Sequence, residues 1–488
     1  MKKFLLIMFL ASSIFTSAQN TITWTIETEV AMNSYENLHP RIVTNGSGDA
    51  IVIWGRASDE SIFISRWDGS SFTMPVKLNP SWLTIATASW MGPDIAAKGD
   101  TVYVVMKQTP EADITSHIYI VSSFDGGMTF SDPVQIDFIA DSISRFPTVT
   151  VDVFGHPIIG FMKFDPGFAN ARWVVTRSND FGNTFSPDVL ASGWSGVGAT
   201  VCDCCPGSIT TSGSTVAMLY RDNLDNLRDS WVGISNDSGN TFTLGLPIDQ
   251  NNWIINICPS TGPDGVIIGD TLYSTFMNGA GGMNLNYFSK TSLSSLTGAV
   301  GIALIGNIAG VSSQNYPRIA SAGNAYAIAW KQHVNGGDQL ALRFTNELHN
   351  GLPEGFDTVD VNDITNTDVA LTTGNIFIVW QDDNAGTVQF RQGTFSLATG
   401  LPSAQIGNFN SVFPNPASRE ITLDLSLDIL DEVTITITDL TGRNIFSTAV
   451  PATSHRIRFD IANWENGIYF LTVQSGNNST THKICKAN

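Results

Sequence analysis

Residues 201–242, VCDCCPGSITTSGSTVAMLYRDNLDNLRDSWVGISNDSGNTF, hold one complete copy of a unit that recurs along most of the chain. The copy opens on a proline-containing entry, CCPGSIT, and a short turn. An apolar run over 216–220 follows and ends in Arg221 and Asp222. A third extended run over 231–235 leads into SNDSGNTF. No 3.6-residue period appears. Short β-rich runs joined by Gly, Ser, Asn and Asp clusters predict the antiparallel strands of one small sheet.

The apolar second strand has seven counterparts in all: AIVIWGR from Ala50, TVYVVMKQ from Thr101, HPIIGFMKF from His156, TVAMLYRD from Thr215, TLYSTFMNG from Thr271, AYAIAWKQ from Ala325 and NIFIVWQDD from Asn375. Their starts are 51, 55, 59, 56, 54 and 50 residues apart, close to one period. Entry strands precede them: HPRIV at His39, GPDIA at Gly92, FPTVTV at Phe146, CPGSIT at Cys205, CPSTG at Cys258, YPRIA at Tyr316 and TDVAL at Thr367. Seven four-stranded units of this period with no helix between them predict an all-β fold, a seven-bladed β-propeller over residues 20–402. The first four units end in a fourth strand, at Pro75, Pro133, Pro187 and Leu246, whereas the seventh runs out near Leu401. The run WTIETEV from Trp24 supplies the missing strand and closes the ring, which removes exposed strand edges.

Composition fits an exported all-β protein: 488 residues with 43 Gly, 28 Phe and 12 Trp, and a formal charge of -19. That charge argues against a nucleic-acid partner, because phosphate binding needs a concentrated basic surface. Lys2 and Lys3, the apolar run 4–15 and the small residues up to Ala18 read as a signal peptide over residues 1–18. The run is about a dozen residues, too short to span a bilayer, and no later stretch is apolar enough for a transmembrane segment.

Three turns between third and fourth strands share one string, S-x-D-x-G-x-T-F. It comprises Ser123, Asp125, Gly127 and Phe130, then Ser178, Asp180, Gly182 and Phe185, then Ser235, Asp237, Gly239 and Phe242. Asp68-Gly69 to Phe72 is a worn copy. The string resembles the Asp-box, or BNR repeat, of sialidases and many other propellers. In it the carboxylate accepts N–H groups of its own turn, glycine takes the positive-φ position and the aromatic packs into the blade. The box bears on fold and is nearly silent on activity. Sialidases of that family have six blades, the alternative reading of the architecture.

From Ser411 the texture changes. VFPNPAS, ITLDLSL, VTITITDLTGR, IRFDI, GIYFLTV and THKICK predict a small β-sandwich over 411–488, after a linker at 403–410. The segment resembles the type A C-terminal sorting domain of the type IX secretion system. The resemblance implies the secretion machinery as a partner, export across the outer membrane of a Gram-negative cell, and release or attachment at the surface.

Propeller geometry brings entry-strand starts and second-strand ends to one face. His39, Arg41, Arg145, Tyr316 and Arg318 from entry strands would join Arg56, Lys107, Lys163, Arg221 and Lys331 there, with Arg228 nearby. A cationic face on an acidic protein predicts a glycan or other anionic ligand. The alternative for several of these side chains is pairing with nearby Asp. Resemblance to sialidases implies a tyrosine nucleophile, and Tyr220 with Asp222 is the weak candidate pair for an exo-glycosidase. The strings HPRI and YPRI depart from the family's arginine motif, so no catalytic set follows. A surface scaffold or adhesion protein is the third reading.

Cys202, Cys204 and Cys205 enter unit four and Cys258 enters unit five. In an exported protein disulfides are the default, with three complete pairings open. No cofactor is expected on that reading. A thiolate site for copper or zinc is the alternative.

Overall fold

The computed structural model describes residues 22–31, 36–137, 142–295, 298–306, 308–346, 351–353, 355–395, 412–424, 433–450, 456–475 and 478–487. The leader 1–18 and the linker 403–410 lie outside them. The chain divides into two compact units, residues 1–398 and 399–488.

The described residues of the first unit contain seven sheets, six built on four antiparallel strands consecutive in sequence and the seventh on three such strands completed by the N-terminal segment. Blade I runs from the entry strand Asn37–Thr44 through Ala50–Arg56 and Ser61–Arg66 to Val76–Lys77. The entry strands of blades II to VII are Asp94–Lys98, Ile143–Val151, Ser208–Ser212, Asp264–Ile268, Val311–Ala322 and Ile364–Leu371. Each packs beside the next, and that of blade VII packs on that of blade I, so the ring is closed. Blade V departs from expectation: its entry strand starts at Asp264, and Cys258 sits on the loop before it.

Closure follows from pairing rather than packing alone. Ile22–Trp24 aligns antiparallel on the last strand of blade VII, with Ile22 opposite Phe395 and Trp24 opposite Gly393. Thr28–Glu29 pairs further along the same strand. Second strands are among the most buried elements, because both faces of a blade pack on neighbouring blades. Trp54, Trp330 and Trp380 are fully enclosed there.

The three S-x-D-x-G-x-T-F turns share one geometry. Asp180 Oδ1 accepts the Thr184 N–H at 2.8 Å, Asp180 Oδ2 accepts the Thr184 hydroxyl at 2.6 Å, and the Gly182 N–H donates to Ser178 Oγ at 2.8 Å. Asp125 and Asp237 repeat the pattern. Gly127, Gly182 and Gly239 have φ of +80°, +90° and +82°. The third turn packs its Gly239 toward Ile158 of the preceding blade, and the other two do likewise toward Ile51 and Ser122. Phe130, Phe185 and Phe242 pack against blade cores. Each turn therefore ties its own ends and rests on the blade before it.

The second unit is two sheets around a core that includes Ile421, Ile435, Ile437, Leu471 and Ile484. Val412–Phe413, Glu420–Asp424 and Arg456–Asp460 form one, and Asn444–Val450, Val433–Asp439, Gly467–Ser475 and Asn478–Lys486 the other.

Candidate functional site at the channel mouth

Four entry strands carry a bulge at the same register. The pairing slips between Leu38 and Arg41, Arg145 and Thr148, Asn315 and Arg318, and Thr365 and Thr367. At the slips, His39, Phe146, Tyr316 and Asn366 adopt positive φ, between 48° and 56°. A left-handed conformation in non-glycine residues costs about 1–3 kcal/mol each and clusters at functional sites. All four residues border the mouth of the central channel, beside Trp90, Met91, Ser260 and Thr261, with His39, Phe146 and Asn366 buried and Tyr316 half-buried. Gly92 holds the matching place in blade II, where a Cβ would stand 2.7 Å from the His39 ring.

Just beyond the bulges lies a polar belt that links blades. Arg318 reaches Asp368 at 3.0 Å and Asp264 at 3.4 Å, and Arg41 lies 3.9 Å from Asp94. The same carboxylates accept backbone N–H groups of the following blade. Asp368 takes that of Ile42, Asp94 that of Val149, and Asp264 that of Ile319. Two guanidiniums thus face three carboxylates. Against the cost of burial, Asp264, Asp368 and Asp94 raise the pKa of Arg318. Burial, with Arg318 nearby, lowers that of Arg41 to about 10. Burial, then Arg41 and Arg318, pushes His39 well below the usual histidine range and keeps it neutral.

Second-strand ends do lie opposite entry-strand starts, since Arg56 stands opposite Asn37, Lys163 opposite Ser144 and Lys331 opposite Asn315. The cations there are already committed. Arg56 pairs with Asp59, Arg145 with Glu111, Lys163 with Asp188 at 2.9 Å and Lys331 with Asp338 at 2.6 Å. Lys107 is buried, donates to the Ser116 carbonyl and to Ser144 Oγ, and burial lowers its pKa to about 8. Arg221 is wholly enclosed and donates to the carbonyls of Thr261, Arg228 and Met277 at 3.1, 2.7 and 2.6 Å. It fastens blade IV to blade V. Arg228 is buried and donates to Cys202 Sγ at 3.3 Å. The expectation of a free cationic rim is corrected on this ground: strand ends that converge on one face also bring their aspartates.

Tyr220 and Asp222 are enclosed too, at 0% and 2% exposure, and Tyr220 belongs to a blade core. Substrate has no path to either, so they are not a reacting pair. Burial, then Asp229, raises the pKa of Asp222 to about 7.

The four cysteines do meet. Their sulfurs lie within 4.8 Å of one another, and Cys204 and Cys258 are joined by a disulfide between the blade IV and blade V entry loops. Cys202 and Cys205 are buried free thiols, and Cys202 Sγ is 3.8 Å from Cys204 Sγ. The hydrogen bond from Cys205, then Arg221 and Arg228, lowers the Cys202 pKa to about 7 despite burial.

Residues 411–487 match the family described as secretion system C-terminal sorting domain. The tail is a type IX sorting domain. The protein is therefore exported, to the medium or the cell surface, and its tail engages the secretion machinery. Among the described residues, no helix is long and apolar enough to cross a membrane. No curated protein matches the chain. Among solved structures, a Dyadobacter fermentans protein of unknown function is similar at 11% identity and TM-score 0.44, over 77% of this chain and 99% of that one. A Penicillium chrysogenum α-L-arabinanase complexed with arabinobiose is similar at 13% and 0.43, over 78% and 100%. Trypanosoma rangeli sialidase is similar at 9% and 0.43, over 94% and 88%.

From the sequence, His39 and Tyr316 were expected on this face with the cationic residues, whereas Phe146 and Asn366 were passed over as site residues. The signal that could have added Phe146 is the bulky residue before proline that its entry string shares with those of His39 and Tyr316.

Proposed function

We propose that the exported propeller binds a glycan at the mouth of its central channel, without turning it over. The observation that carries this is the set of four left-handed bulges, which spend backbone energy to set His39, Phe146, Tyr316 and Asn366 around one opening. Trp90, 41% exposed, adds an indole to the same wall. Rings with polar neighbours in a concave site suit a sugar, whose faces are apolar and whose edge hydroxyls need hydrogen bonds. The ligand class narrows from the sequence expectation. Arg41 and Arg318 are held by Asp94, Asp264 and Asp368, so a neutral or weakly charged glycan fits better than a polyanion.

The test is a glycan array on the full exported protein, followed by titration of any hit against Trp90→Ala and Tyr316→Ala. Loss of one stacking ring should weaken binding about 5- to 30-fold with the unfolding midpoint little changed for Trp90→Ala. A blank array would sink the reading in favour of the scaffold alternative, and release of product from a bound sialoside would favour the hydrolase one.

A further inference from the structure

The polar belt ties blades V, VI, VII, I, II and III in succession, through Asp264, Arg318, Asp368, Arg41 and Asp94. At blade IV the residue after the entry proline is Gly207, which offers no side chain to such a belt. The cysteine cluster stands at this blade's junction with blade V. Cys202, Cys204 and Cys205 come from the blade IV entry loop and Cys258 from the loop before blade V.

Two features of the cluster go beyond what the Cys204–Cys258 bridge requires. One is spacing. All four sulfurs lie within 4.8 Å of one another, with 3.8 Å between Cys202 and Cys204. Four thiolates about 2.3 Å from a tetrahedral ion stand about 3.8 Å apart. The other is charge. Arg221 and Arg228 are buried beside the cluster, and among the described residues neither has a carboxylate within 4.0 Å. Asp249 feels Arg221 only at longer range. Buried cations need a counter-charge, and disulfides are neutral. A divalent ion with four thiolates carries two negative charges, which two guanidiniums offset.

We propose that Cys202, Cys204, Cys205 and Cys258 in their reduced form are a closed tetrathiolate site for zinc, which fastens blade IV to blade V. Binding one Zn²⁺ to four thiols releases four protons and transfers no electrons. From the form with the Cys204–Cys258 disulfide, two electrons and two protons from a dithiol reductant open that bond first. Four protein thiolates fill a tetrahedral shell and leave no open coordination position, so the site is structural, with Cys202 and Cys205 buried and Cys258 at its exposed edge. Arg228 holds Cys202 in place from outside the ligand set.

The experiment uses the full exported chain with Cys485→Ser, which removes the one thiol outside the cluster. It is purified with and without a dithiol reductant and supplied with zinc alone. Elemental analysis should give one zinc per chain in the reduced preparation, and cobalt substitution should give the intense visible bands of a tetrahedral thiolate complex. Cys202→Ser and Cys258→Ser should each lose the metal, and Arg228→Met should weaken it about 10- to 100-fold. Intact mass and thiol count on the unsubstituted cluster keep the test independent of whether a variant folds. A cluster that takes up no zinc after reduction, or whose cobalt form lacks the bands of a tetrahedral thiolate complex, would overturn the assignment.

Discussion

The channel belt and the outer turns both hold blades in place, by opposite means. At an outer turn, Asp180 is satisfied by groups within four residues of it, and hydrogen bonding, first from the Thr184 hydroxyl, lowers its pKa to about 2. At the channel, Arg318 finds Asp368 and Asp264 in the blades on either side. A local staple fails alone. A belt of shared carboxylates fails together, because each member serves two partners.

The largest effect should come from Arg318→Ala. It leaves Asp264 and Asp368 converging without their cation, and breaking a buried pair costs about 3–5 kcal/mol. Chemical denaturation should show it, and a loss below about 1 kcal/mol would place the belt with ordinary surface pairs.

A pH series sharpens the contrast next. Asp222 has its pKa raised to about 7 by burial, then Asp229, and Asp249 to about 6 by burial, then Asp229. Their folded pKa values exceed the unfolded ones, so the folded chain binds these protons more tightly. Stability is fully present below about pH 4 for these groups and is lost as pH rises to about 7. The Asp222 contribution is on the order of 4 kcal/mol at most. Asp222→Asn should flatten the slope of melting temperature over that window, and an unchanged slope would refute the assignment. Asp180 works in the reverse sense, since its lowered pKa withdraws support only as pH falls toward about 2.

The smallest effect is expected at an outer turn. Asp180→Ala should cost about 1–2 kcal/mol and leave the channel mouth intact. A collapse of glycan binding in that variant would mean that the two regions are not separable.

This difference in range also explains what the sequence disclosed. The outer turns were readable because Ser178, Asp180, Gly182 and Phe185 sit in one string. The blades were readable because a second strand such as 215–222 repeats at one period. The closing strand was found from Trp24, though pairing starts at Ile22 and breaks at 25–27. What stayed hidden was the state of the cations. Nothing near YRDN in sequence says that Arg221 meets the carbonyls of Thr261 and Met277 in another blade. Nor does YPRI say that Arg318 is taken by Asp264 and Asp368. The meeting of Cys258 with blade IV was legible only as an option, because adjacent blades bring their entry loops together in any propeller.

The pairing of Ile22–Trp24 with the strand that ends at Phe395 orders events in time. The first segment of the propeller to leave the ribosome waits for almost the last one before it finds its partner. Until then one flank of the growing array presents bare backbone, open to association with other chains. Translocation and early folding must therefore shelter that flank, and a chain interrupted anywhere before residue 387 would never acquire its lock.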